Sequence, residues 1–347
     1  MILASLLYFY LTNLFFFFKF RSLSQSSGMG VESHTTSKIS NTLNKRNNYC
    51  FYSNFFMFNY IFFLIFLHIF RVNDPFGIHP MFCFDNFGMY QVFIWTVFNI
   101  LFFWTMRSVQ FDVHPIVKLD YLFTIFNIFY MFNLIFLCNN FYTFVFLLEV
   151  LSYLFFYKLI LSRSFGFYQS QRKSINSNYF NLIFYHYWAS TLSTFLFLFF
   201  LLVVIKFYGS CGAGFDLFLS GSLETNQEVF FFSFFCVVFI LCFCLKLGFS
   251  PFHLFKLHIY KNISYFYLFF YSTYYFLGFF FLISCLYFKF FLLIDRSLPM
   301  FFIVITILGI FFAAILLSQH SSLKWFIAIS TILSLLNFIL ILILCNA

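Results

Sequence analysis

FCVVFILCFCLKLGFSPFH, residues 235–253, decides the fold of this chain. The run is apolar on every face, with one amine, Lys246, in its middle and Pro251 five residues later. A helix on a water-soluble core keeps a polar face, and a membrane β-strand alternates apolar with polar residues. This stretch does neither, so it reads as a helix immersed in lipid. Proline removes a backbone donor and frees a carbonyl one turn back, so Pro251 interrupts that helix. At membrane depth, broken backbone is tolerated inside protein or beside water. A lysine next to the break therefore marks a place for water to enter, and Gly248 allows a neighbour to approach closely. The plainer reading is a kink used only for packing.

The rest of the chain agrees with lipid as its solvent. Of 347 residues, 63% are hydrophobic and 8% charged. A soluble domain carries about 25% charged residues. Runs long enough to cross a bilayer, about 20 residues each, fall near 2–19, 52–71, 88–106, 121–138, 141–162, 180–207, 228–262, 264–289, 299–318 and 324–345. The expected fold is an all-α polytopic membrane protein of about ten spans, with the seventh broken by proline. The first run lacks the basic start and small-residue cleavage site of a signal peptide, so it counts as a span. The polar stretches 20–49 and 163–178 are loops, neither large enough to be a domain.

Basic residues give the bundle a direction. With ten spans, one set of alternating loops and their flanks, including Lys158, Lys256 and Lys324, holds fourteen Lys and Arg. The other set holds four: Arg71, Lys206, Lys289 and Arg296. The net charge of +9 thus reads as topology and not as a nucleic-acid surface. The nine Cys are scattered through apolar runs without zinc or iron–sulfur spacing, and read as buried thiols.

Two ionisable residues lie deep in apolar runs: Lys246, and Glu149 in FVFLLEVLSYLFF, residues 144–156. A charge at mid-membrane costs roughly 2.5–3.5 kcal/mol on insertion scales, so such residues face a bundle interior or a wet cavity. Low dielectric disfavours the charged form of acid and amine alike, which makes the two a candidate proton relay. The alternatives are a structural ion pair, or a lysine that snorkels to the surface. His68 and His186 stand isolated, and His253 and His258 sit in the break region, without the paired arrangement a haem needs. His253 reads as a polar gate or packing residue. No metal site and no phosphate-binding loop is expected.

At these positions the chain resembles a known family. LKLGFSPFH, 245–253, is similar to the broken seventh helix of the subunit 2 family of respiratory complex I, the antiporter-like family whose bacterial member is subunit N. LLEVLSYLFFY, 147–157, resembles that family's fifth helix, with Glu149 on its glutamate. Residues 186–217 look like its sixth helix and the Gly-rich turn that follows. AAILLSQHSSLKWFIAISTILS, 313–334, resembles the junction of its ninth and tenth helices, with Gln319, Lys324, Ala328, Ser330 and Thr331 in matching places. The motifs cover about residues 120–335 in family order.

The departures are specific. Tyr185, beside His186, and Tyr275 stand where the family has lysines. Phe255, Leu257 and His258 replace its Trp, Pro and acid after PFH. The family also continues for about four helices beyond the position of Ala347, and a separate chain is expected to supply them. The resemblance implies one transmembrane domain over 1–347, with N-terminal helices and a polar loop to residue 120 and an antiporter-like core over 121–345. It implies proton translocation coupled to NADH oxidation and quinone reduction elsewhere in the complex, without a cofactor in this subunit. Glu149 and Lys246 would exchange protons through water, with His186, His253, Tyr185 and Tyr275 as relay or gate.

Implied partners are the other membrane-arm subunits, including neighbouring antiporter-like ones, and lipid, with no nucleic acid. The 70 Phe against 4 Trp match the codon bias of AT-rich organelle genomes. The expected location is therefore the mitochondrial inner membrane, basic loops toward the matrix. The competing expectations are a standalone cation/proton antiporter subunit, a structural subunit that no longer pumps, or another organelle-encoded membrane protein. An ATP-synthase channel subunit needs a mid-membrane arginine, and every Arg here lies at a span edge or in a loop.

Overall fold

A computed structural model of the chain describes residues 58–65, 86–108, 115–138, 140–166, 175–208, 237–238, 241–242, 244–246, 248, 252, 254–263, 265–290, 297–319 and 322–346. The first expected span, the 20–49 loop, Pro251 and His253 lie outside the described residues. Those residues are almost entirely helical and contain no strand. Beside a helical segment at 58–65, the helices are α1 (Asn86–Ser108), α2 (Pro115–Phe136), α3 (Phe141–Gly166), α4 (Ile175–Tyr208) and α5 (Leu254–Asn262). They continue as α6 (Tyr265–Phe270), a π-turn (Tyr271–Tyr275), α7 (Phe276–Phe290), α8 (Ser297–Gln319) and α9 (Leu323–Asn346).

Three helices are long and apolar enough to cross a membrane, over Tyr142–Ile160, Ile183–Phe200 and Leu323–Ile341. Half of the first window is buried, but only 22% of the second. α4 thus presents most of its apolar length outward, through Phe184, Trp188, Leu192, Phe195, Phe199 and Leu202. Water would leave that surface strongly unfavourable, whereas lipid does not. Hydroxyl groups fit the same solvent. Thr124, Thr306 and Thr331 donate back to the carbonyls of Tyr121, Ile303 and Ala328 at 2.8, 2.9 and 2.8 Å. Each is satisfied within its own helix.

Helix ends depart from the apolar windows in an instructive way. α2 starts at Pro115, where the missing N–H is harmless in a first turn, six residues before the expected span. α3 begins after Asn140, whose Oδ1 accepts from the Tyr142 N–H at 3.0 Å, an N-cap. It runs on to Gly166, and α4 starts at Ile175. Much of the expected 163–178 loop is therefore helix, because hydropathy measures the lipid-soluble part of a helix and not its hydrogen-bonded length.

The chain divides into two compact units, residues 1–78 with 92–131 and residues 79–91 with 132–347. In the first, Asn99 Nδ2 donates to the Tyr60 hydroxyl at 2.9 Å in a buried site. Edge-on contacts join Tyr60 and Phe63 to Tyr130, with centroids 5.6 and 4.8 Å apart. In the second, α4 packs on α3 and α5, α5 packs on α9, and α9 packs on α7 and α8. Its aromatic core centres on Phe132, which meets Phe155, Tyr274 and Phe279 edge-on.

Two local devices hold this second unit together. Gly278 lies against the Phe132 ring so closely that a Cβ there would collide with three ring atoms. Lys324, at the start of α9, donates from Nζ to the Ile263 carbonyl at 2.6 Å. A cation at a helix N-terminus opposes the helix dipole. This one instead satisfies a carbonyl just past the end of α5 and ties the two helices together.

Gly278→Ala is expected to destabilise the second unit, because Phe132 is enclosed by rings and has nowhere to move. Overpacking of this kind costs about 1–3 kcal/mol. Thermal unfolding in lipid nanodiscs checks it, and an unchanged melting temperature would show that the ring can yield.

Candidate functional site

The site forms where α3, α4, α5 and the π-turn meet the segment carrying Lys246. Residues 244–246 are helical, and the helix stops at Gly248. There φ is 68°, a left-handed conformation that glycine adopts without a Cβ penalty, and the Gly248 N–H reaches back to the Leu245 carbonyl at 3.3 Å. Helix resumes at Leu254. A turn at Gly248 thus lies between the helical residues 244–246 and α5.

Glu149 projects from the middle of α3, and its Oε2 lies 3.7 Å from Lys246 Nζ. The amine side chain is 4% exposed and the carboxylate 26%. The separation is an ion pair but exceeds a hydrogen bond, which for such charges closes to about 2.7–2.9 Å. A small rotation of either side chain closes that gap and brings the two within proton-transfer range. The Phe197 ring, its centroid 5.9 Å from the amine, adds an apolar wall. The two residues that stood out as lone charges are thus a pair brought together from distant parts of the sequence.

Beside the pair lies a cavity of about 30 Å³. A water needs about 10–15 Å³ of such space, so there is room for one or two. Ser152 from α3, His186 and Ser190 from α4, Lys246, Lys256 and Tyr260 from α5, and Tyr271 from the π-turn supply its polar wall. Phe155, Ala189, Ile259 and Phe279 complete it. The Tyr271 hydroxyl also donates to the Phe155 carbonyl at 3.3 Å, which pins the π-turn to α3. π-turns often mark functional sites.

Of the expected residues, Glu149, Lys246 and His186 come together here, and Gly248 forms the break. Tyr185 does not line the cavity. It is 47% exposed and stacks on His258, with ring centroids 5.7 Å apart and planes 17° from parallel. The backbone of Tyr275 closes the π-turn; its side chain, like Pro251 and His253, lies outside what is described.

Two lysines counted among loop charges sit inside the second unit instead. Lys256 is 4% exposed and Lys158 fully buried, the latter with its amine over the Phe270 ring. Both lie within the expected spans 141–162 and 228–262, where the charge tally counted them as flanking the loops. Lys256, Tyr260, Ser152 and Tyr271 were missed as site residues. Lys256 could have been found from its helical spacing to Ile259 and Tyr260; Tyr271 carries no sequence signal, because a π-turn leaves none. Among the described residues no group of three metal-ligating side chains converges.

A scan of protein-family models and a search of curated proteins each return no match for this chain.

Glu149→Gln and Lys246→Met are expected each to lower the melting temperature, and the double substitution to lower it by less than their sum. Coupled neighbours show interaction energies of about 0.5–3 kcal/mol. A double-mutant cycle followed by thermal unfolding measures this; additive losses would mean the 3.7 Å pair contributes no mutual stabilisation.

Proposed function

We propose that this chain is a proton-translocating subunit of antiporter-like type in the membrane arm of the proton-pumping NADH:ubiquinone oxidoreductase. In this reading it spans the mitochondrial inner membrane about ten times, its basic loops face the matrix, and a separate chain completes its bundle. The observation that carries the reading is the Glu149–Lys246 pair, 3.7 Å apart beside a helix break and a water-sized cavity.

The chemistry follows from the pair. With its proton on Lys246, the pair is an ion pair that lowers the cost of both charges in an apolar bundle. With the proton on Glu149, both groups are neutral. Both states hold the same one proton, so the pair can pass it between its two members; a proton gained or lost leaves one net charge, which water in the adjoining cavity helps to hold. The helix break lets water reach the amine, and His186, Ser190 and Ser152 offer hydrogen-bonding groups along the cavity wall. The complex I assignment itself rests on the LKLGFSPFH and LLEVLSYLFFY motifs, which supply the acid and the amine that now meet. Quinone reduction elsewhere in the assembly would supply the driving force, and the subunit would need no cofactor of its own.

A structural subunit that no longer pumps is the second reading. It is favoured by Tyr185, which occupies a family lysine position and stacks on His258 away from the cavity.

If the first reading holds, an affinity-tagged chain co-purifies with NADH:ubiquinone oxidoreductase activity. In reconstituted vesicles, Lys246→Met then lowers NADH-driven proton uptake by about a hundredfold or more, the lower range of positioned proton transfer. NADH oxidation by an artificial acceptor measures assembly in the same sample. Absence of NADH dehydrogenase activity from the purified assembly sinks the complex I assignment; assembled Lys246→Met enzyme that pumps normally selects the structural reading.

A further inference from the structure

The geometry points to Lys256 as a second proton-carrying residue, which exchanges a proton with Lys246 through water held in the cavity between α3, α4, α5 and the π-turn. The inference rests on the proton-transfer reading above and extends it to a side chain that the sequence motifs leave out.

α5 is only nine residues long and has two distinct faces. Lys256, Ile259, Tyr260 and Ile263 are 4%, 3%, 1% and 1% exposed, at the helical spacing that places side chains on one face. The first three all line the cavity. His258, on the other face, is exposed and stacks on Tyr185. A lysine stem is long enough to carry its amine out to a polar boundary. Lys256 does not do so, and its burial puts the amine within the unit, where a permanently charged group is costly. Lys246 borders the same cavity from the other side of the break.

Lys246 and Lys256 both line one space of water size. The space has room for a water that bridges them. When the proton moves, an N–H bond of the Lys246 ammonium breaks as an O–H bond forms on that water. A second O–H bond of the water breaks as an N–H bond forms on the neutral Lys256 amine. Water is regenerated, and one positive charge has passed from Lys246 to Lys256. Glu149 sets the direction: while it is a carboxylate against Lys246 it holds the charge there, and once protonated it releases the charge to Lys256. The hydroxyls of Tyr271 and Ser190 lie on the same wall and can orient the water.

The test uses the intact assembly in proteoliposomes, with NADH-driven proton uptake as readout and NADH oxidation by an artificial acceptor as the measure of assembly. Four variants are compared: Lys246→Met, Lys256→Met, Lys256→Arg and Lys256→His. Lys256→Met is expected to reduce proton uptake by about a hundredfold. Lys256→Arg keeps the charge and length but does not give up its proton, so it should pump as poorly as Lys256→Met. Lys256→His, which can titrate, should restore pumping to at least about half of the wild-type rate. An assembled Lys256→Arg or Lys256→Met enzyme that pumps at the wild-type rate overturns the inference. If Lys246→Met also pumps normally, the proton-transfer reading itself has failed; if Lys246→Met is defective and the Lys256 variants are not, only the extension has. Should Lys256→Met not assemble, the Arg and His variants decide between a structural cation, which Arg preserves, and a proton carrier, which His preserves.

Discussion

An acid and an amine in an apolar helix bundle constrain everything around them. Alone, Glu149 or Lys246 would carry the full desolvation cost of a charge inside an apolar bundle. At 3.7 Å each lowers the cost of the other, but only if α3 and the segment 244–246 hold that separation. Buried pairs repay their desolvation only with good geometry and further polar contacts. The Phe197 ring lies near the amine, and Lys246 also borders a small, mainly apolar cavity with a few polar residues in its lining. The pair is neither locked in a full hydrogen-bond network nor open to bulk solvent, and that intermediate condition is what a group that must gain and lose protons requires.

The packing that holds the pair is aromatic. With 70 Phe and only 12 Gly in the chain, the helices cannot rely on small-residue seams, the usual way membrane helices approach each other. They interlock rings instead. Phe132 meets three helical segments edge-on, and Gly278 is placed where one ring would otherwise collide with a helix. Rings are rigid and have few rotamers, so such a core fixes helix positions well. It also leaves gaps that a flexible side chain would fill, and the cavity beside Lys246 lies between rings of this kind, Phe155 and Phe279.

Much of this was legible in the sequence, and the reasons differ by residue. Glu149 and Lys246 stood out because a charge in a long apolar run has few explanations. That they meet could not be read from spacing, because the contact is made by the packing of separate segments. The helix break was legible as a glycine and a proline within five residues; its observed position at Gly248 follows from φ, which only glycine takes without strain. The burial of Lys158 and Lys256 could not be read from a charge tally, because burial depends on which neighbours cover a span end. α5 is covered by α4 and α9, so its lysine is inside.

Backbone irregularity and function coincide in the second unit for a physical reason. In lipid, every carbonyl and N–H freed from a helix needs another partner. The left-handed turn at Gly248 and the π-turn at Tyr271–Tyr275 both disturb the regular ladder; Tyr271 lines the cavity, and so does Lys246, two residues before Gly248. Side chains secure the backbone nearby: Tyr271 donates to the Phe155 carbonyl, and Lys324 to that of Ile263 just past the end of α5. A bundle of unbroken helices would need none of these contacts, but it would also offer water no polar wall to enter along. The polar side chains that gather at the irregular turns are therefore the same ones that give a proton somewhere to go, and the stability of the fold and its proposed chemistry draw on one set of groups.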